Sequence, residues 1–348
     1  NDKVRYVGDH IDVEIADSLE KAQSAAEKIT IDLDVLPPVA DLSTAIGNTQ
    51  IHDEMDDNVY FDWELGDESA TASALDSAAK IVELTVTNNR VIPNAMEPRA
   101  AVAEYDETNE SYTLYTTSQN PHLTRLVMAA FMMQIPESKL HVVAPDVGGG
   151  FGSKIYIYPE EAVCTWATKK LRRPIKWTAD RSEAFLGDAH GRDHVNKVKI
   201  GLDQDNKIVG LRVDTLANLG AYLSAFSMVT PTYLHGTLLS GCYNIPAIYT
   251  NVKGVCTTTV NVDAYRGAGR PEATYLLERT MDYAARQVGM DPAEFRRINF
   301  IPKDAFPYQT AVALQYDVGD YEAPLDRALE MINYKGFEKR RSEAVQRG

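Results

Sequence analysis

Four glycines within five residues are the feature that most restricts the backbone of this chain. The segment reads Gly148-Gly149-Gly150-Phe151-Gly152-Ser153-Lys154. A predicted strand (140–144) precedes it, and a predicted helix follows, from Pro159 to about Lys170. Glycines at such a junction let the backbone approach a ligand closely and present its N–H groups. The pattern is typical of a ligand-binding loop, although a tight turn would also account for it.

Two common nucleotide-binding motifs do not fit this glycine loop. A P-loop requires a glycine before its lysine, and Ser153 stands before Lys154. A Rossmann fingerprint that begins Gly148-x-Gly150 would place its third glycine at Ser153, and no acidic partner is evident. The loop therefore predicts neither kind of nucleotide site.

A second segment combines arginine with glycine just before a predicted helix (272–288). It reads Asp263-Ala264-Tyr265-Arg266-Gly267-Ala268-Gly269-Arg270-Pro271-Glu272. Arg266 and Arg270, placed at a helix N-terminus, suit an anionic group. Alternatively, the two arginines pair with structural carboxylates, and composition does not decide between these readings.

Length and charge exclude several classes of protein. The 348 residues are enough for two or three domains, and the net charge of −15 argues against broad binding to a phosphate backbone. No stretch approaches twenty apolar residues, so we expect no membrane-spanning helix. The N-terminus has no charged-then-apolar leader, so we expect no signal peptide.

The cysteines are few and separated. Cys164, Cys242 and Cys256 form no C-x-x-C pair and are too few for an iron–sulfur cluster that four cysteines hold. An odd, sparse count fits a reducing compartment, so we expect three buried core cysteines and a cytoplasmic location.

Periodicity predicts an α+β fold. Residues 1–45 read as strand, helix and strand, and the acidic run 52–79 reads as a linker that partly packs on its neighbours. From residue 80 the patterns predict a strand at 81–86, hairpins at 101–105 with 112–117 and at 195–202 with 208–216, and helices that begin at Pro121, at 272 and at 292.

Several segments, in order, resemble the molybdenum-binding large subunit of the xanthine oxidase/aerobic carbon monoxide dehydrogenase family. Gly148–Lys154 and Ala264–Arg270 resemble its two molybdenum-site loops, and Thr117–Pro121 resembles the strand end that supplies a glutamine. The segments 94–99, 289–294 and 4–9 are also similar to this family. The resemblance therefore covers nearly the whole chain.

This resemblance implies a domain order and a set of site residues. Residues 1–51 would end a small α/β hammerhead domain, 52–79 would link, and 80–348 would form the first part of an α+β molybdopterin-binding domain. The implied catalytic residues are Gln119 and Arg266, and no side chain would ligate the metal directly. The implied cofactor-binding residues are Gln119, Gly149, Gly150, Phe151, Gly152 and Arg266.

The resemblance also implies the chemistry and the partners. The cofactor would be a molybdenum–pterin, in the cytosine dinucleotide form if the source is bacterial, and the reaction an oxidative hydroxylation that takes its oxygen from water. Electrons would leave through 2Fe-2S and FAD partner subunits, and a second molybdenum subunit would complete the assembly if the large subunit is split. The family's general-base glutamate belongs to a second half of the domain that we do not find here. We therefore expect a fragment or a split subunit that is inactive alone.

Three positions of the implied substrate pocket are apolar. Ile155, Leu234 and Ala268 stand where purine-oxidising members carry glutamate, arginine and phenylalanine, and Gly267 stands where carbon monoxide dehydrogenases carry a copper-ligating cysteine. The arrangement resembles the form II relatives, and an apolar pocket suits an aldehyde or an N-heterocycle. The alternative function is a catalytically silent scaffold or assembly module that retains the fold without molybdenum.

Overall fold

A computed structural model of the chain describes residues 3–348, which form two mixed sheets with helices packed on them and a short hairpin. The strands are β1 (Val59–Gly66), β2 (Lys80–Asn88), β3 (Ala100–Asp106), β4 (Ser111–Thr116), β5 (Leu140–Val143), β6 (Ile175–Thr178), β7 (His194–Leu202), β8 (Ile208–Gly220), β9 (Ile248–Cys256), β10 (Tyr308–Gln309) and β11 (Gln315–Tyr316). The helices are α1 (Leu19–Ala26), α2 (Glu68–Asp76), α3 (Pro121–Val127), α4 (Pro159–Leu171), α5 (Arg181–Gly187), α6 (Tyr233–Gly236), α7 (Arg270–Gln287), α8 (Pro292–Asn299), α9 (Glu322–Met331) and α10 (Phe337–Arg347). No helix within residues 3–348 combines the length and the apolar character that a membrane crossing needs.

The larger sheet has the strand order β1-β9-β8-β7-β2, in which only β8 and β9 run parallel to each other. Successive residues of a strand point to opposite faces. Leu211 and Val213 of β8 point to one face, where they join a core with Leu276 and Met281 of α7. The predicted strand at 81–86, the hairpin of β7 with β8, and the helices α7 and α8 are confirmed.

The segment 52–79 is not the predicted linker. It contains β1, which pairs with β9 at the edge of the larger sheet, and α2, which packs on the face opposite α7. A Cβ atom at Gly210 would lie 3.2 Å from that of Ala74 in α2. Asp62 and Glu64 are exposed and alternate with the partly buried Trp63. An edge strand of this kind has a composition close to that of a linker.

The smaller sheet has the order β5-β4-β3-β6 and packs on α4. Its core includes Ala103 and Leu114 of the predicted hairpin together with Cys164 and Ala167 of α4. β4 and β5 run parallel as neighbours, so their carboxyl ends meet at one edge of the sheet. The segment that carries Gln119 and the glycine loop therefore leave this sheet side by side.

The larger sheet also contains two parallel neighbouring strands, and these bring the segments that follow them together. β8 and β9 end at the same edge, and each is followed by a segment of the predicted site. Leu234 lies in the segment after β8, and Arg266 lies in the segment after β9. A Cβ atom at Gly269 would lie 2.7 Å from the carbonyl carbon of Leu234, so the two segments touch.

The N-terminal region forms one of its three predicted elements. The predicted helix is present as α1, with Ser18 as its N-cap, but residues 30–36 form no strand and Val35 is 93% exposed. Within residues 3–348 no strand lies beside this segment, so its backbone groups have no partner for a ladder. Val39, Leu42 and Ile51 instead pack against the larger sheet. Assignment of residues 1–51 to a hammerhead domain stays a prediction.

The packing of α2 predicts that Leu75→Ala destabilises the chain. Leu75 is 8% exposed and lies against Gly201 of β7. Truncation of a buried leucine costs about 2 to 4 kcal/mol in the free energy of unfolding, whereas a side chain in a linker would cost little. Urea denaturation measures this change. Leu171→Ala, at the 50% exposed end of α4, is the control, and equal effects of the two variants would contradict the packing.

Candidate active site

The glycine loop adopts a conformation that only glycine accommodates at several of its positions. Gly149 and Gly152 have φ angles of +99° and +112°, in a region that side-chain-bearing residues rarely adopt. A Cβ atom at Gly150 would overlap the side-chain oxygen of Gln119. The loop therefore makes close approaches to its neighbours and is more than a tight turn.

Gln119 is fixed against the glycine loop by both its backbone and its side chain. Its N–H donates to the carbonyl oxygen of Lys154 at 2.8 Å, and its Oε1 accepts from the N–H of Gly152 at 2.8 Å. Because Oε1 faces the loop, the Nε2 amide group points away from it. Gln119 is exposed, and its Nε2 has no hydrogen-bond partner among residues 3–348.

The second loop touches the glycine loop directly. The N–H of Arg266 donates to the carbonyl oxygen of Phe151 at 2.8 Å. A Cβ atom at Gly152 would overlap the carbonyl oxygen of Ala264. Two loops that leave different sheets are thus joined by a backbone hydrogen bond and by a contact that requires glycine. The structure brings Gln119, the glycine loop and Arg266 together, as the sequence predicts.

The joined loops present hydrogen-bond donors without acceptors. The N–H groups of Gly149, Gly150 and Phe151 have no acceptor within residues 3–348. The Arg266 guanidinium is exposed and has no ion pair or hydrogen bond in the same part of the chain. Arg270 donates to the carbonyl oxygen of Gly267 at 3.3 Å and also has no carboxylate partner there. The geometry therefore favours binding of an anionic group over pairing with structural carboxylates.

The three predicted pocket positions lie around the second loop. Ile155 and Ala268 pack against one small cluster that contains Tyr156 and Ala264. The backbone of Leu234 contacts Gly269 in the same loop. Each of the three predicted residues is half-buried. Their role in binding substrate stays a prediction.

Two further residues, Glu97 and Lys154, hold the glycine loop at both ends. The Nζ of Lys154, which is 2% exposed, donates to the carbonyl oxygen of Glu97 at 2.8 Å and to its Oε2 at 3.0 Å. The N–H of Gly148 donates to the same carboxylate at 2.7 Å. Partial burial opposes ionisation of Glu97, but Lys154 and the amide outweigh it and lower its pKa. Both residues lie in segments that resemble the family, yet fifty-seven positions separate them and no local pattern pairs them.

A buried arginine, Arg99, supports the glycine loop through its contacts with Tyr158. Arg99 is 3% exposed and donates to both carboxylate oxygens of Glu160 at 3.0 and 3.1 Å, and to Asp188 at 2.6 Å. Burial opposes ionisation of Glu160, but hydrogen bonds from His10 and Arg99 lower its pKa to about 2. The Arg99 guanidinium stacks on the ring of Tyr158, 3.6 Å from its centroid, and the Tyr158 hydroxyl donates to the carbonyl oxygen of Ser153.

A buried carboxylate joins the second loop to the segment that follows β8. Asp263 is 1% exposed and accepts from the N–H groups of Phe226 at 3.0 Å and Ala264 at 2.5 Å, and from the Ser224 hydroxyl. Burial raises the pKa of Asp263 to about 6, although the hydrogen bonds from the backbone of Ala264 and Phe226 oppose the shift. Its position before the loop was visible in the sequence, but its partners were not.

The histidines around residue 190 do not form a metal-binding cluster. His190 lies in a bridge to Val262, and its Nε2 is 3.2 Å from the carbonyl oxygen of Phe185. His194 begins β7 and is 2% exposed. In the described part of the chain, no three His, Cys, Asp or Glu side chains are placed to hold a metal ion.

The chain matches a described protein family and several characterised relatives. The family model described as "Molybdopterin cofactor-binding domain" matches residues 51–300. The carbon monoxide dehydrogenase large chain of Hydrogenophaga pseudoflava is 36% identical, over 97% of this chain and 44% of the relative. The nicotine 6-hydroxylase large subunit of Paenarthrobacter nicotinovorans is 31% identical, over 100% of this chain and 42% of the relative.

A solved structure gives the same result for the fold. Quinoline 2-oxidoreductase from Pseudomonas putida 86 superposes with a TM-score of 0.93 and 32% identity, over 99% of this chain and 44% of that one. The chain thus spans less than half the length of these proteins. The resemblance stated from the sequence is confirmed, and so is the α+β fold class. The chain belongs to the molybdopterin cofactor-binding domain family, among the large subunits of the xanthine oxidase/carbon monoxide dehydrogenase type.

Proposed function

We propose that this chain is the first part of the molybdenum-binding subunit of a hydroxylase that oxidises an aldehyde or an N-heterocycle with oxygen from water. Family membership supports a molybdenum oxidoreductase. The observation that carries the proposal is the junction of the glycine loop with the Arg266 loop, with Gln119 beside both. The junction gathers unpartnered donors at one place.

The donor set fits a molybdopterin cofactor. Such a cofactor carries phosphate oxygens and metal-bound acceptor atoms, which need N–H donors and positive charge. The proposed binding residues are Gln119, Gly149, Gly150, Phe151, Gly152 and Arg266, and no side chain among them is a metal ligand. When bound, the cofactor would supply the two-electron oxidation. We further propose the cytosine dinucleotide form.

The residues of this chain then have distinct tasks. Gln119, held by Gly152, directs its amide group at an acceptor atom of the cofactor. Arg266 places a positive charge beside the anionic centre. Ile155 and Ala268 form an apolar wall with Leu234 that admits a substrate with few polar atoms. We assign the general base to the part of the subunit that this chain does not include.

Partner subunits complete the proposed enzyme. The three cysteines are free, and two of them are buried. The relatives are named as a large chain or a large subunit, and hence as parts of assemblies. We propose a 2Fe-2S subunit and an FAD subunit as electron acceptors, a second molybdenum subunit where the large subunit is split, and a cytoplasmic location.

Gly152→Ala should prevent cofactor loading in the complete complex. The new methyl group would collide with the carbonyl oxygen of Ala264 and separate the two loops. We expect the molybdenum content per complex to fall about tenfold or more, since a separation that costs 1.4 kcal/mol of binding free energy is about tenfold.

Gly289→Ala is the matched control for this variant. Gly289 also has a positive φ, +68°, but no atom lies within 4 Å of its added Cβ. It therefore reports the backbone strain without the collision. Wild-type complex that contains neither molybdenum nor pterin would favour the silent scaffold, and equal molybdenum loss in both variants would contradict the loop junction.

Gln119→Glu tests the outward amide group. The substitution keeps an oxygen for the Gly152 N–H and replaces the donor by a carboxylate. We expect molybdenum to be retained and kcat to fall by roughly one to two powers of ten, because a hydrogen bond to a charged group is worth about 1.5–3 kcal/mol. Gln346→Glu, which adds the same charge on α10, should leave kcat unchanged. An unaltered kcat in Gln119→Glu would contradict the proposed role of Gln119 in the active site.

A substrate panel tests the apolar pocket. The complete complex, assayed with an artificial electron acceptor, should oxidise aromatic or aliphatic aldehydes or simple N-heterocycles. Xanthine should react slowly, because Ile155 and Leu234 leave its polar atoms unpaired at a cost of about 1–3 kcal/mol each. Carbon monoxide should not react, because Gly267 supplies no thiolate for copper. Rapid oxidation of xanthine or carbon monoxide, with aldehydes and heterocycles inert, would contradict the assignment of an apolar substrate pocket.

A further inference from the structure

We propose that Arg192 is a positioning residue that holds the Arg266 loop in the conformation that presents Arg266 and Ala268 to the bound cofactor, an inference that rests on the proposed function. Its Nη1 donates to the carbonyl oxygen of Tyr265, and its Nη2 donates to that of Arg266, both at 2.9 Å. The guanidinium also lies 4.8 Å from the centroid of the Tyr265 ring. Arg192 therefore fixes two consecutive peptide units of the loop from behind.

One carboxylate balances the charge of Arg192. Glu272, in the first turn of α7, is 1% exposed, and its Oε1 accepts from Nη1 of Arg192 at 2.9 Å. Two neighbouring histidines are neutral and do not compete for Glu272. Burial, together with the charge of Arg192, lowers the pKa of His194 to about 4. Burial, together with the nearby His194, lowers the pKa of His235 to about 3. The Oε2 of Glu272 has no partner within residues 3–348. Arg192 thus joins α7 and the loop through one pair of buried charges.

A planar guanidinium is needed for this set of contacts. Arg192 directs separate N–H groups at two carbonyl oxygens and a carboxylate oxygen. A lysine in its place would keep the charge, but its single ammonium on a flexible stem cannot reach the same three acceptors in one geometry. The contacts therefore depend on arginine rather than on positive charge alone.

The backbone that carries Arg192 is strained and clamped. Arg192 and Asp193 have φ angles of +66° and +69° in succession, and residues other than glycine rarely occupy this region. A Cβ atom at Gly191 would overlap that of Tyr265. Arg90 donates to the Asp193 carboxylate at 2.8 Å and to the carbonyl oxygen of Val260 at 3.0 Å. Such strain persists only where the surroundings enforce it, and here it aims Arg192 at the loop.

The side chain of Arg266 depends on this support. Arg266 is exposed and contacts no carboxylate in the described residues. Its direction is set by the backbone of the loop, where Gly267, Ala268 and Gly269 all have positive φ angles. Without Arg192, that peptide would keep only two backbone hydrogen bonds within residues 3–348, from the Arg266 N–H to the Phe151 carbonyl oxygen and from the Ala268 N–H to the Tyr265 carbonyl oxygen, both at 2.8 Å.

The test compares Arg192→Lys with Arg296→Lys in the purified complex. Arg296 also joins carboxylates, Glu278 and Asp282, to backbone carbonyl oxygens, but on α7 and α8 away from the two loops. Amide hydrogen exchange of the peptide 264–269, molybdenum content, kcat and KM are measured on the same samples. For Arg192→Lys we expect exchange in 264–269 to become roughly tenfold faster and kcat to fall roughly tenfold, with KM within twofold of wild type. Arg296→Lys should change none of these.

Unchanged exchange in 264–269, or equal changes in both variants, would overturn the proposal. If the Arg192→Lys protein does not accumulate as a folded complex, Glu272→Gln is used instead, because this substitution leaves Arg192 without its charge partner. It should accelerate exchange in 264–269 in the same direction, and no acceleration would again overturn the proposal. Because exchange needs no cofactor, wild-type complex without molybdenum would refute the proposed function alone, whereas the exchange comparison would still decide the role of Arg192.

Discussion

The contact between Gly152 and the Ala264 carbonyl oxygen is the constraint on which the rest of the site depends. It brings a loop of the smaller sheet against a loop of the larger sheet, at a separation that no side chain permits. The hydrogen bond from Arg266 to the Phe151 carbonyl then fixes the register of the two loops. In each sheet, a pair of parallel strands ends at this junction. The topology therefore places the two loops side by side, and glycine allows them to come into contact.

Buried charges hold each loop from behind. Arg99 lies below the glycine loop with Glu160 and Asp188, and Arg192 lies below the second loop with Glu272. A buried charge is costly unless it is paired and hydrogen-bonded, so each arginine strongly favours the single arrangement that satisfies it. The contacts that organise the loops therefore lie within the chain itself, and the N–H groups of Gly149, Gly150 and Phe151 remain unpaired in the described residues. An arrangement fixed before binding reduces the ordering cost of capturing an anionic cofactor.

The fold does not determine the substrate among these relatives. The relatives are named for carbon monoxide, nicotine and quinoline, yet the solved quinoline enzyme superposes on this chain almost throughout. A fold of this kind hosts several substrates, because specificity lies in the side chains around the site. We propose Ile155, Leu234 and Ala268 as those positions in this chain, and the structure places all three beside the second loop.

The sequence by itself determined the elements with strong local signals. The glycine loop, the hairpins of β3 with β4 and β7 with β8, and the helices α7 and α8 all follow from turn residues, alternation and capping. Local patterns failed at 52–79, because an edge strand with an acidic outer face resembles a linker, and at 30–36, because alternation needs a neighbouring strand to become a sheet. Only the tertiary structure decided which charges pair. Arg192 and Glu272 are eighty positions apart, and their contact exists because the strand that follows one and the helix that holds the other pack in the same core.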